Sequence, residues 1–245
     1  MKLRQKFFLI FVLISVIPVL VVSMYTYSRY TRLIDQQISM STENLMNTAS
    51  GSINQILQNI EHITEAMYLP RTEHEAIVDL LPKYSGAHTP TTLEIYQDNE
   101  KLGYACQDFF NFYSYINGIF IFTPSGKTLG YAYGSNVNVW KDYSSKEDAW
   151  YQDTLNLAGD IYLYGRKEKP FFQSATDSVS FCTALSDVRT REFLGVLMVD
   201  CKPEVFDLTS VNTMPELAIL TVTDQEELLY ETKADQTLEE DPINS

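Results

Sequence analysis

The chain has 245 residues, enough for one large domain or for a domain with appendages. Apolar residues make up 45% of it and aromatics 13%, which excludes intrinsic disorder as the state of the whole. The formal charge is −14 although Lys2, Arg4 and Lys6 crowd the start, so the remainder is an acidic surface that repels phosphate backbones and excludes a nucleic-acid binder.

The first predicted element is apolar. Phe7 to Ser28 is a run of 22 residues without a charge, against the roughly 20 needed to cross a hydrocarbon core, and it reads as a transmembrane helix. Pro18 in its middle is tolerated in a spanning helix, and Tyr25, Tyr27 and Tyr30 stand where an interfacial aromatic belt lies. The run is too long for a cleaved signal peptide and no A-x-A-like site follows, so an uncleaved signal anchor is expected. The basic residues before it place residues 1–6 in the cytoplasm and residues 29–245 outside the cell membrane.

Residues 29–68 contain one Gly and no Pro, and Ala49, Ile53, Ile56, Ile60, Ile63 and Met67 advance in steps of 4, 3, 4, 3 and 4. These are heptad steps. A stalk helix of about 40 residues, roughly 60 Å long, is therefore expected over residues 29–70, ended by Pro70. Its stripe serves either as a homodimer seam carrying motion to the membrane or as a surface packed on its own domain.

A short helix (Glu73 to Tyr84) and a longer one (Thr91 to Tyr113) follow, and then the period changes. Ile116–Thr123 alternates as a strand, Pro124, Ser125 and Gly126 supply a turn, and Thr128–Tyr133 returns as the second arm of a hairpin. Asn138–Tyr143 and Ser145–Ala158 read as helices, the second with a capping-type start at Ser145. Strands at Asp160–Tyr164, Ser178–Leu185 and Phe193–Asp200 complete the set, the last two joined by a wet turn over residues 186–192. This order predicts an α+β fold over residues 71–213: a PAS-like antiparallel sheet with the N-terminal helix on one face and a ligand pocket under the intervening helices on the other. Residues 214–245 hold Glu216–Tyr230, which reads as the opening hairpin of a second, incomplete lobe, and then an acidic tail. An isolated hairpin is marginal alone, so the chain is expected to be a fragment or a truncated reading frame.

Chemistry-bearing residues are sparse. Cys106, Cys182 and Cys201 read as buried thiols, with a Cys182–Cys201 bridge as the alternative, and no Cys or His spacing suggests zinc or another metal. No N-x-[ST] sequon occurs, which suits a bacterial surface. Gly126-Lys127-Thr128 is not a phosphate loop, because Ile121 stands at the required first Gly and the string turns a hairpin. His62, His74 and His88 have no nucleophile or carboxylate at a catalytic spacing, so no catalytic motif and no cofactor are expected. Candidate ligand residues are aromatic. Trp150 and Tyr151 on a helix over the sheet read as an apolar ligand wall or as plain core. Tyr131 and Tyr133, and likewise Tyr162 and Tyr164, alternate so that each pair shares one face, where stacked phenols suit sugars or amines. Arg166, Asp187 and Asp200 are either polar anchors or solvated and structural charges.

The strings GIFIFTPSGKTLGYAY, DAWYQDTL and FLGVLMVD followed by KPEVFDL resemble the first hairpin, the W-Y helix and the last strand of Cache domains. With the basic start, the anchor and the long helix, residues 1–231 are similar to the extracytoplasmic half of bacterial transmembrane receptors with a double Cache domain, above all sensor histidine kinases of Gram-positive type. The resemblance implies a second span, a HAMP segment and a kinase beyond Ser245, a homodimer, and a cytoplasmic response regulator as partner. It also implies an amino-acid pattern Y-x4-R-x-W-Y. Tyr143, Trp150 and Tyr151 stand in register with it, but Asp148 replaces the Arg that would take a ligand carboxylate. An α-amino acid held in that way is disfavoured, whereas a cationic amine, a sugar or a peptide stays open. The expected function is ligand sensing for a two-component system. The alternative is a membrane-anchored module without catalytic output, a standalone binder or a partner of a solute-binding protein.

Overall fold

The computed structural model describes residues 3–70, 75–85, 90–132, 138–140, 143–207, 220–222 and 228–231. The chain divides into two compact units, Met1–Gly51 and Ser52–Ser245. One helix, α1 (Leu3–Ala66), covers both the expected anchor and the expected stalk and continues through Pro18. In the first unit large apolar side chains such as Phe11, Ile14, Val19, Leu20, Val22 and Met24 are exposed. Among the described residues, no helix is long and apolar enough to cross a membrane; the side chains of Leu3 to Ile10 and of Leu13 lie outside them.

In the second unit the end of α1 is amphipathic in the way its heptad steps require. Ile56, Ile60, Ile63 and Met67 are buried in the domain's own core, so this part of the stripe is an intradomain surface and not a seam. The helix stops at Ala66, four residues before Pro70, as Met67 and Tyr68 donate to the carbonyls of Thr64 and Glu65 in a tightened last turn. Helix α2 (Ile77–Leu80) and a 3-10 turn (Leu81–Tyr84) bury Ile77, Val78, Leu80, Leu81 and Tyr84. Helix α3 (Thr92–Phe112) opens on a capping box: the Thr91 hydroxyl accepts from the Glu94 amide at 3.3 Å, and the Glu94 carboxylate accepts from the Thr91 amide at 2.7 Å.

Five antiparallel strands follow, β1 (Ile116–Phe122), β2 (Thr128–Ala132), β3 (Tyr162–Tyr164), β4 (Val179–Ser186) and β5 (Phe193–Cys201), in the order β2-β1-β5-β4-β3. Gly126, at φ +80°, takes the left-handed position of the β1–β2 turn. Period-two alternation gives the sheet two faces. On the helix face, Ile119, Ile121, Phe181, Leu185, Leu197 and Val199 meet the end of α1, α2 and α3. On the aromatic face, Phe120, Phe122, Cys182, Val196 and Met198 meet Trp150, Tyr151, Phe171 and Phe172. Gly118 and Gly130 make room for the Phe120 ring, since a β-carbon on either would lie 2.6 or 2.4 Å from it.

Two expectations are corrected, and one alternative falls. The 138–143 segment is not helical where described: Val139 forms a single antiparallel bridge with Phe172, a tertiary pairing that overrides local propensity. The next helix is shorter than expected, a 3-10 turn (Ser145–Glu147) followed by α4 (Ala149–Asn156), and Ser145 is buried while Asp148 holds the N-cap position. Cys182 and Cys201 do not bridge, because Cys182 belongs to the aromatic face and Cys201 to the helix face; all three thiols are buried and outside any disulfide, as the first reading of the cysteines expects. The expected hairpin near the C-terminus is present as β6 (Leu220–Val222) and β7 (Leu228–Glu231), with Leu229 buried in the helix-face core.

Candidate functional site

The candidate site lies on the aromatic face, where α4 and the segment before it cross the sheet. Asp148 stands at the N-cap of α4 yet caps nothing with its side chain. Its Oδ2 instead accepts from the Tyr143 hydroxyl at 2.7 Å and from the Trp150 indole N–H at 3.0 Å. The residues that the sequence spaces as Tyr143, Asp148 and Trp150 therefore form one hydrogen-bonded unit. Burial, reinforced by the adjacent Asp148 carboxylate, pushes the Tyr143 phenol well above its ordinary range. Nothing among the described residues donates to Asp148 Oδ1, and the side chain is partly exposed.

Around this unit the rings interlock. Trp150 lies 5.1 Å from Phe122 and 5.3 Å from Phe171, and Phe171 lies 4.7 Å from Phe172. Phe171 is completely buried, so the loop before β4 fills the face that the sequence assigned to a pocket. Tyr151 is buried and its hydroxyl has no hydrogen-bond partner among the described residues; burial pushes its phenol up to about 12. Tyr162 and Tyr164 are half-buried on the same face, and Tyr164 donates to the Glu168 carbonyl at 2.9 Å.

A polar network borders the rings. Asp200, fully buried, accepts from the hydroxyls of Ser178 and Ser180 at 2.7 Å each and from the Asn117 amide at 3.1 Å. Lys169 lies 4.0 Å from its carboxylate, donates to the Ser178 carbonyl and hydroxyl, and sits 5.4 Å above the Tyr164 ring. Burial raises the Asp200 carboxyl and lowers the Lys169 ammonium, and each charge partly offsets the shift of the other.

Six of the sequence-derived candidates thus come together: Tyr143, Asp148, Trp150, Tyr151, Tyr162 and Tyr164. Others do not. Tyr131 pairs with Ile119 and faces the helices, its ring 5.4 Å from Phe110. Arg166 makes an exposed two-pronged ion pair with Asp177 at 2.7 and 2.5 Å, and Asp187 organises the β4–β5 turn through the amides of Arg189 and Thr190. Tyr133 lies outside the described residues. Sequence reasoning missed Lys169, Phe171 and Phe172. The one signal for them was an aromatic pair directly after Lys169-Pro170 in an otherwise charged loop.

No protein-family model matches the chain, and no curated protein does. Solved structures do. The sensory domain of the Campylobacter jejuni chemoreceptor Tlp3 with isoleucine bound is 19% identical with a TM-score of 0.57, over 82% of this chain and 73% of that one. The ligand-binding domain of the same receptor with L-valine is 18% identical, again with a TM-score of 0.57 and coverage of 82% and 73%. The sensor domain of the V. cholerae histidine kinase DctB is 15% identical with a TM-score of 0.53, over 84% of this chain and 69% of that one. At these identities the likeness defines the fold, which is that of Cache-type sensor domains.

Proposed function

We infer that the chain is the ligand-sensing, extracytoplasmic part of a membrane-bound sensor histidine kinase. In this reading residues 1–6 are a cytoplasmic tail, 7–28 the anchor, 29–70 the stalk, 71–213 the membrane-distal Cache domain and 214–245 the start of a membrane-proximal lobe. The carrying observation is the likeness, with a TM-score of 0.57 over 82% of the chain, to a chemoreceptor sensory domain crystallised with an amino acid. A histidine kinase sensor domain with the same fold supports the choice of output. The uncharged run from Phe7 to Ser28, its described apolar residues exposed along α1, supports anchoring. The kinase is not among these 245 residues; a homodimer and a cytoplasmic response regulator complete the reading.

The ligand is a cationic amine, a sugar or a peptide. Asp148 supports the amine, because its Oδ1, to which no described residue donates, attracts an ammonium and repels a carboxylate. Such a ligand signals only through different affinities for two states of the domain. The test is a thermal-shift screen of the full chain in detergent against amines, sugars, dipeptides and amino acids. Binding at 100 times Kd adds about 2.7 kcal/mol of stability. An amine-dependent rise that Asp148→Asn reduces is expected. The filled aromatic face, with Phe171 and Phe172 buried where a ligand would sit, favours the second reading, an indirect sensor contacted by a solute-binding protein. A screen with no shift from any compound supports that alternative.

A further inference from the structure

The end of α1, the turn between α4 and β3, and β4 enclose a cleft of about 380 Å³ on the side of the sheet opposite Asp148. Glu61, Glu65 and Asp160 line it, and among the described residues their carboxylates have no ion pair and no hydrogen bond. Glu61 and Glu65 are one helical turn apart, a spacing at which like charges destabilise each other. Thr183 also lines it, only 6% exposed and with a hydroxyl that has no hydrogen-bond partner among the described residues. A buried hydroxyl left unpaired carries its full desolvation penalty. Leu57 and Ile161 supply the apolar part of the lining.

We propose that this cleft is a second binding site, for an organic ammonium ion with a short alkyl stem. An ammonium has three donors and no acceptor, which complements carboxylates and a hydroxyl oxygen. The alkyl stem suits Leu57 and Ile161. A bare metal ion fits less well, since no group of three or more acidic, Cys or His side chains among the described residues is arranged to hold one. The site goes beyond the sensing reading given above and does not depend on Asp148. A ligand in it touches α1 and β4 together, and so weights the packing of that helix on the sheet.

Titration calorimetry of the full chain in detergent with the diamine putrescine tests the proposal, with butanol, butyrate and magnesium as comparators. Saturable uptake is expected for the diamine alone. Glu61→Gln with Glu65→Gln, both exposed positions, weakens it about tenfold or more, and does so equally in a protein that already carries Asp148→Asn; tenfold is about 1.4 kcal/mol. Thr183→Val, which removes the unpaired hydroxyl at near-constant shape, weakens binding without lowering the melting temperature of the unliganded protein. Four results overturn the proposal: no saturable uptake, uptake unaffected by the double Gln variant, uptake lost in Asp148→Asn alone, or equal competition by magnesium. A Thr183→Val protein that melts earlier overturns it too, because the hydroxyl then has a partner within the fold.

Discussion

The two faces of the sheet are assembled by different means. On the helix face, Ile60, Ile63, Leu81, Leu102 and Cys106 arrive on helices and meet Ile119, Ile121 and Val199 from the strands. Each contributing segment is periodic, and its apolar stripe fixes which side turns inward. On the aromatic face, Phe171, Phe172 and Lys169 come from a loop without regular structure, and they meet Trp150 on the short helix α4 and Asp200 on the central strand. The first face is an aliphatic surface that tolerates small adjustments in volume. The second mixes stacked rings with a buried ion pair, so its members depend on one another, and it is here that the candidate ligand residues gather.

The largest expected effect follows from that dependence. Lys169 and Asp200 are 1% and 0% exposed, and removing one buried partner leaves the other charge uncompensated. Asp200→Ala should cost about 3–5 kcal/mol, read as a loss in the urea unfolding midpoint. Adding Lys169→Met to Asp200→Leu should recover most of it, because replacing a buried pair by apolar groups is often neutral. Ile63→Ala on the helix face also costs about 2–5 kcal/mol through its cavity, yet no second substitution across the sheet should rescue it. If the double variant of the ion pair is as unstable as the sum of its singles, the contrast between the faces fails.

A smaller effect separates two buried tyrosines. On the helix face, Tyr84 donates to Asp98 at 2.6 Å, and Asp98 also meets Lys83 at 2.5 Å. Tyr84→Phe leaves a buried carboxylate short of a donor and should cost about 1–3 kcal/mol. On the aromatic face, the Tyr151 hydroxyl has no partner among the described residues to lose. Tyr151→Phe should therefore be neutral or stabilising in a melting experiment on the unliganded protein. A Tyr151→Phe protein that melts well below the parent would show that this hydroxyl is held by a group within the fold.

The same contrast explains what the sequence revealed. The heptad steps of α1, the extent of α3 and the Pro124-Ser125-Gly126 turn are local signals, and the structure places those elements within a few residues of expectation. The spacing of Tyr143, Asp148 and Trp150 was also legible, and the three do form one unit. Alternation alone could not say which face Tyr131 takes, because that depends on its pairing with Ile119. The 138–143 segment looked helical, whereas Val139 within it pairs with Phe172, more than thirty residues away. Lys169 carried no sign of burial, since its counter-charge on Asp200 is brought to it only by the completed sheet.

The smallest expected effect concerns Asp187, which the sequence offered as a ligand anchor and which the structure places in the β4–β5 turn. Its Oδ1 accepts from the amides of Arg189 and Thr190 at 2.7 and 2.8 Å, and these bonds hold its carboxyl below the ordinary value of 3.8. A carboxyl depressed in the folded state contributes stability that is present above its unfolded value and is lost as the pH falls through its folded value. Asp187→Asn keeps an acceptor oxygen but cannot ionise. The parent should accordingly be slightly more stable than Asp187→Asn at neutral pH, with the difference fading below about pH 4. Amine binding should be the same in both, because a turn carboxylate engaged with its own backbone has no part in either proposed site. A stability difference that is constant from neutral pH to pH 2, or a loss of amine binding in the Asn variant, would return Asp187 to the list of ligand residues.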